Sequence, residues 1–335
     1  MPNHRIFWPC QAVGLAPLGS NTFTPIHGLQ SVSITTSFPL EPVFEISQAS
    51  IYQQIDDIPD VEVNLEKVVD GYPLMFHLAT RGYPSNTLIG RSNQRTSLAL
   101  SIFGDVQDSA SGTPVSQLVC SGMYFSNVAI NVPVTGPIKE SLSLVGNDKV
   151  WKTSSYTFSG SLFDNTDSPL NLTSGGNGVQ TRRDVVFGTL TDTLLPPSIP
   201  GISSSGTNYK NSNNEYNVSV QSIQISAGVT REAIYELGSK KPVFRYAQFP
   251  VEVRTEIEVI TKSGDFVSAS ETTSLNNETI ALKLQDSTYV HLGTKNKLTN
   301  VTYGGADAGG GNATCTYSYT TYNDFTVTHN QDPVT

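Results

Sequence analysis

Five histidines (His4, His27, His77, His291 and His329) and three cysteines (Cys10, Cys120 and Cys315) are the side chains of this 335-residue chain best suited to metal binding or nucleophilic attack. No histidine pair has the HExxH spacing of a zinc hydrolase, and the widely spaced cysteines make neither a CxxC pair nor an even-numbered disulfide framework. The thiols are expected to be reduced. No GxSxG elbow is present, and neither Cys120 nor Cys315 has a histidine nearby in sequence. The densest glycine run, Gly304-Gly305-Ala306-Asp307-Ala308-Gly309-Gly310-Gly311, lacks the Lys-Ser or Lys-Thr of a P-loop. The next segment, Ala313 to Tyr319, alternates like a strand instead of opening a helix. The run reads as a flexible hairpin tip whose glycines permit close approach of another subunit's backbone.

Glu62 and Glu66, with Glu252, Glu256 and Glu258, are spaced along two strand-like segments and could be mistaken for a pair of glycosidase carboxylates. Acid and base chemistry needs two carboxyl groups in contrasting environments, and a uniformly acidic strand face offers no such contrast. The acids read either as a solvated, salt-bridged face or as a charged wall or interface. The adjacent basic pairs, Arg182-Arg183 and Lys240-Lys241, are not interleaved with stacking aromatics as a single-strand groove would require, and pairing with acids of a neighbouring chain suits them better. No catalytic residue, cofactor site or metal site is expected, and the chain is not expected to be an enzyme.

The elements that must carry these residues are mainly β. The segment QSVSITTSFPLEPVFEISQ from Gln30 returns as QSIQISAGVTREAIYELGS from Gln221, with Val43-Phe44-Glu45-Ile46 matching Ile234-Tyr235-Glu236-Leu237. After a single-residue slip, Val61-Glu62-Val63 is aligned with Val251-Glu252-Val253, and Ser97-Leu98-Ala99-Leu100 resembles Thr279-Ile280-Ala281-Leu282. The ordered matches point to an internal duplication. Ser31 to Thr36 and Ser222 to Ser226 alternate as half-buried strands, and the acidic segments alternate with valine, leucine and isoleucine. Later strands are expected at Leu98–Phe103, Ser121–Val132, Glu140–Val145, Thr279–Leu284, Thr288–Leu292 and Ala313–Tyr319. One short helix is expected around Leu74 to Ala79, with Asp70 as cap and Pro73 in its first turn. The place after Gly264-Asp265 is a weaker helix candidate.

The expected organisation is an N-terminal arm (1–27), a first β domain (28–151), a stretch rich in Ser, Asn, Gly and Pro (152–217) and a second β domain (218–335). The third segment reads as a passive linker or as an arm that orders on a neighbouring subunit. Each domain is expected to be a β-sandwich or barrel with at most a short flanking helix. Charged residues make up 15% of the chain, and 20 Lys plus Arg against 29 Asp plus Glu leave a formal charge of −9. That balance disfavours tight nucleic-acid binding, which draws on a basic field. Pro9, Cys10 and Gln11 interrupt any signal-peptide core, and no apolar run approaches the ~20 residues needed to cross a bilayer. Synthesis and assembly in a cytoplasm are expected. Sequons such as Asn300-Val301-Thr302 then carry no glycosylation inference.

Three stretches carry a resemblance: IPDVEVNLEKVVDGYPLMFHLAT from Ile58, ESLSLVGNDKVW from Glu140 and GGADAGGGNATCTYSYTTYNDF from Gly304. They resemble the phage tail tube protein family, over about residues 28–151 and 218–328. The resemblance implies sandwich or barrel domains joined by long hairpins into a continuous luminal barrel. It also implies rings that stack into a DNA-conducting channel within a virion tail. Single-domain members form six-membered rings, so a duplicated chain implies three chains per ring if its domains lie side by side, and six if they stack axially or one is peripheral. Implied partners are further copies of the chain, a tape measure protein, baseplate or tail-tip and terminator proteins and, for a contractile tail, a sheath. DNA would pass transiently and without sequence preference. Alternatives are a baseplate hub component of the same fold and a carbohydrate-binding sandwich. In the tube reading, some of Glu62, Glu66, Glu252, Glu256 and Glu258 would contribute negative potential to the channel or lie at an interface, and the glycine run would be an inter-subunit loop.

Overall fold

The computed structural model describes residues 4–82, 86–105, 110, 112–152, 157–158, 178–202, 218–239, 242–262, 264–265, 267, 275–306 and 310–330. The chain is mainly β. Its first strands are β1 (Gln11–Pro17), β2 (Thr22–Pro25), β3 (Leu29–Ser37), β4 (Leu40–Phe44), β5 (Ile51–Asp56) and β6 (Asp60–Val68). Two short helices come after them, α1 (Met75–Ala79) and α2 (Leu88–Ser92). Next are β7 (Thr96–Ile102), β8 (Ser116–Pro133), β9 (Lys139–Gly146), β10 (Val150–Lys152) and β11 (Thr157–Phe158). The second half supplies β12 (Ser219–Gly228), β13 (Arg231–Ile234), β14 (Phe244–Ala247) and β15 (Glu252–Ile260). The last strands are β16 (Ala281–Lys283), β17 (Tyr289–His291), β18 (Lys297–Gly304), β19 (Thr314–Tyr322) and β20 (Thr326–Thr328).

One antiparallel path runs β3-β6-β9-β8 and continues through β12-β15-β19-β18, so two four-stranded leaves are joined edge to edge by β8 and β12. The leaves have the same construction. A bulge at Gln30 in β3 answers one at Gln221 in β12, and a bulge at Ser126 in β8 answers one at Thr299 in β18. The hydroxyls of Ser126 and Thr299 donate to equivalent carbonyls, those of Ser143 and Ser318. Pairing therefore equates β3 with β12, β6 with β15, β9 with β19 and β8 with β18, one pairing pattern used twice. It also corrects one expected alignment. With Ser31 opposite Glu66 and Ser222 opposite Glu258, Val61 corresponds to Val253 and Glu62 to Arg254, two residues from the sequence alignment. A slip of two keeps every side chain on its face, so alternation could not reveal it.

The other face of the leaves is covered by a back layer. In the first half β1, β7 and the first part of β8 form it, extended by β10; in the second half β16, β17 and β20 stand in the same relation. Valines, leucines and isoleucines from both layers and both halves, with Phe76, Phe125 and Phe325, make one contiguous core. Strand β8 serves both layers, changing partners between Met123 and Tyr124, just after Gly122, whose φ of +68° is disfavoured for residues with a Cβ.

Two segments outside the leaves are packed into the body of the chain. Of residues 1–27, the described residues 4–27 include β1 and β2, with Ala12, Val13, Leu15 and Ala16 buried and β1 paired along the whole of β7. Within 152–217, the described residues 178–202 are built into the body of the chain. Leu195, Ile199 and Ile202 join the core, and Leu194 exchanges backbone hydrogen bonds with Ala281, giving β16 the neighbour that β1 gives β7. Apolar residues placed between prolines supply a core contribution that average composition hides. Residues 153–156, 159–177 and 203–217 of that stretch lie outside the described residues.

Candidate functional site

Strand alternation decides where the five acids lie. In β6 the buried row is Val61, Val63, Leu65 and Lys67, and in β15 it is Val253, Thr255, Ile257 and Val259. Glu62, Glu66, Glu252, Glu256 and Glu258 all fall on the opposite, solvent-facing side of one continuous sheet. Around them the same face displays Ser33, Thr35, Ser143, Gln224, Ser318 and Thr320. Two acids are partly neutralised: Lys139 Nζ lies 2.7 Å from Glu66 Oε1, and Arg254 Nε lies 2.9 Å from Glu252 Oε1. Glu62 accepts from Asn64 Nδ2 at 3.1 Å and Glu258 from Ser222 Oγ at 3.4 Å. Among the described residues no basic side chain is within ion-pair distance of Glu62, Glu256 or Glu258. The surface is polar and, with Lys139, Arg254 and Lys297 beside the five acids, acidic on balance.

The ends of this sheet are open. Strand β3 pairs only with β6 and strand β18 only with β19, so among the described residues each leaves one backbone edge without a partner strand. The glycine run connects β18 to β19 as a hairpin, with Gly304 closing β18, Gly305 just beyond, and Gly310 and Gly311 at φ +135° and +99°. Asp307 and Gly309 lie outside the described residues.

Sequence reasoning missed a buried charged group beneath the sheet. Lys67 and Glu140 face each other across β6 and β9, and both are fully buried. Lys67 Nζ donates to Asp70 Oδ1 and to the carbonyl of Pro73, each at 3.1 Å. Glu140 accepts the first amides of α1, from Met75 at 2.7 Å and Phe76 at 2.8 Å. The expected cap, Asp70, is therefore replaced: α1 begins after Leu74, and its N-terminus is held by a carboxylate from another strand while Asp70 is drawn to Lys67. Burial raises the Glu140 carboxyl above its ordinary range, while Lys67 and the two amides pull it back. With no exposed surface, the group positions a helix and meets no substrate. The signal was an isolated charge in each of two otherwise apolar strand faces. The weaker helix candidate after Asp265 falls largely outside the described residues.

All three cysteines are buried and unpaired by disulfide, and burial pushes the Cys120 thiol up to about 11. A cavity of about 150 Å³ lies between Pro200, Val218, Val259 and Tyr317, with no carboxylate among the described residues of its wall. Among the described residues no group of three or more His, Cys, Asp or Glu could hold a metal, and no helix is long and apolar enough to cross a membrane.

No sequence-family model matches the chain, and no curated protein does. Solved structures do. One is a chain of the anti-feeding prophage baseplate, six-fold symmetrised, with 11% identity over 45% of this chain and 97% of that one, at a TM-score of 0.33. A second belongs to the sheath–tube complex of an extracellular contractile injection system in its extended state, with 12% identity, 45% and 93% coverage and a TM-score of 0.33. A third is from the anti-feeding prophage tube-terminating cap, with 11% identity, 46% and 95% coverage and a TM-score of 0.34.

Proposed function

We propose that the chain is a structural subunit of a phage-type tail tube, which joins copies of itself into closed rings that stack around a DNA-conducting bore. The observation that supports this is the single sheet β3-β6-β9-β8-β12-β15-β19-β18, polar and acidic on one face and open at both ends. An unpaired edge attracts another strand, and head-to-tail pairing of unlike edges closes into a ring without leaving a free edge. Because the two leaves lie side by side in one sheet, three chains would supply six leaves per ring. The solvent face then forms the bore, where Glu62, Glu66, Glu252, Glu256 and Glu258 repel DNA phosphates within a Debye length of about 8–10 Å and keep the polymer from adhering. In this reading the protein belongs to the virion tail, and its other partners are tape measure, tail-tip and terminator proteins, with a sheath if the tail contracts.

Cryo-electron microscopy of the purified protein tests the reading. Tubes of uniform bore with three chains per layer, and the acidic face inward, are expected. A protein that stays monomeric at all concentrations, or rings with all five acids outside, would refute it. A ring that never extends would instead identify a hub.

A further inference from the structure

We propose that successive copies meet by repeating the chain's own internal junction, with β3 of one copy lying antiparallel against β18 of the next in a register copied from β12 and β8. This deepens the ring reading and rests on it. Inside the chain, Ser226 stands opposite Ala129, Ile225 opposite Ile130 and Gln224 opposite Asn131. The matched bulges carry Ser226, Ile225 and Gln224 onto Thr35, Ile34 and Ser33. They carry Ala129, Ile130 and Asn131 onto Thr302, Tyr303 and Gly304. Thr35 is therefore placed opposite Thr302, Ile34 opposite Tyr303 and Ser33 opposite Gly304.

The exposure of the two edges supports the same pairing. Ile225 and Ile130, which meet at the internal junction, are 1% and 2% exposed, whereas Ile34 is only half-buried and Tyr303 is 54% exposed. An apolar pair shielded in one copy of the contact is thus uncovered in the other.

Two further elements of the first half behave alike. Hairpin β13–β14 is seated on the first leaf, where Arg231 donates to the carbonyls of Phe125 at 2.9 Å and Ser92 at 2.7 Å. Its counterpart β4–β5 has every residue exposed except Val43. Strand β20 is tucked under the first half, with the Val327 carbonyl 3.2 Å from His77 Nε2 and Thr326 bridging Thr87. Its counterpart β10 carries Trp151 at the position of Val327, 54% exposed against 1%. In the second half β12, β13–β14 and β20 all lean on the preceding leaf, so a copy that docks on the preceding chain would use β3, β4–β5 and β10 together.

A cysteine pair reads the register. In a Thr35→Cys, Thr302→Cys chain, mild oxidation of assembled rings should link most chains covalently into closed trimers, because facing Cβ atoms across a strand pair come within disulfide reach. The control Thr35→Cys, Asn300→Cys, displaced by two residues on the same face, should link at least tenfold less. Rings that link through Asn300→Cys and not Thr302→Cys would overturn the register while leaving the tube reading intact; a protein that never assembles would overturn both. A Trp8→Phe chain, with both edges unaltered, gives a second reading. Trp151 emission should shift to the blue as rings form, and an unchanged spectrum in assembled rings would also overturn the proposal.

Discussion

Replacing Glu140 by alanine tests whether the helix is held from across the sheet. The substitution removes acceptors for two amide donors, at 2.7 and 2.8 Å, and strips a buried lysine of its facing carboxylate. Hydrogen bonds to a charged group contribute about 1.5–3 kcal/mol each. Relief from burying the carboxylate offsets part of the loss, so the net should resemble a broken buried ion pair, about 3–5 kcal/mol. That is a large share of the ~5–15 kcal/mol of a whole fold. Urea unfolding should show a lower midpoint at unchanged slope, and Glu140→Gln, which keeps one acceptor, should fall between. The pH dependence supplies a sign. Because burial raises this carboxyl, the folded chain binds its proton more tightly than the unfolded one. Its contribution is most favourable below the unfolded value and is lost as pH rises through the folded one. The stability of the wild type minus that of Glu140→Gln should therefore shrink with rising pH across that window. A loss under about 1 kcal/mol for Glu140→Ala, or a difference that grows with pH, would refute the cross-sheet cap.

Two further outcomes rest on the same geometry. Glu62→Lys with Glu256→Lys changes exposed positions, so stability should move by no more than about 0.5 kcal/mol. Tubes of the variant should retain duplex DNA at low salt and release it as salt rises; failure to retain it would count against a bore-lining role. The thiols of Cys10, Cys120 and Cys315 should stay silent to a thiol reagent in the folded protein and react together on unfolding. Rapid reaction of any one of them in native buffer would contradict their burial.

Much of this architecture was legible because alternation and duplication leave local marks. The strand faces of β6 and β15, and so the shared side of the five acids, follow from apolar residues at every second position. The repeat was visible in Gln30 and Gln221, which turn out to be the bulge positions. Registers were less legible, since a two-residue shift preserves the pattern. Strand β18 was missed because its bulge at Thr299 breaks the alternation and its apolar side is half exposed for want of a neighbour. The cap of α1 was missed for a different reason: Glu140 lies 65 residues from Met75 in the chain, and only pairing of β6 with β9 brings it there. The N-terminal strand and the Leu194–Ile202 segment were obscured by short apolar runs among prolines and glycines, which read as loops until a partner strand is present.

The long strand β8 has a mechanical consequence. Its 18 residues would reach about 60 Å fully extended, and one unbroken backbone ties the outer layer of the first half to the acid-lined sheet. In the second half the same course is interrupted between β17 and β18, where Asn296 Nδ2 donates to the carbonyls of Glu278, Leu292 and Gly293. Covalent chain ties the two layers in both halves, as one extended strand in the first and through a turn braced by Asn296 in the second, and the turn can give before its backbone is drawn taut. Any cylinder built from such chains would have stiffness that alternates around its circumference.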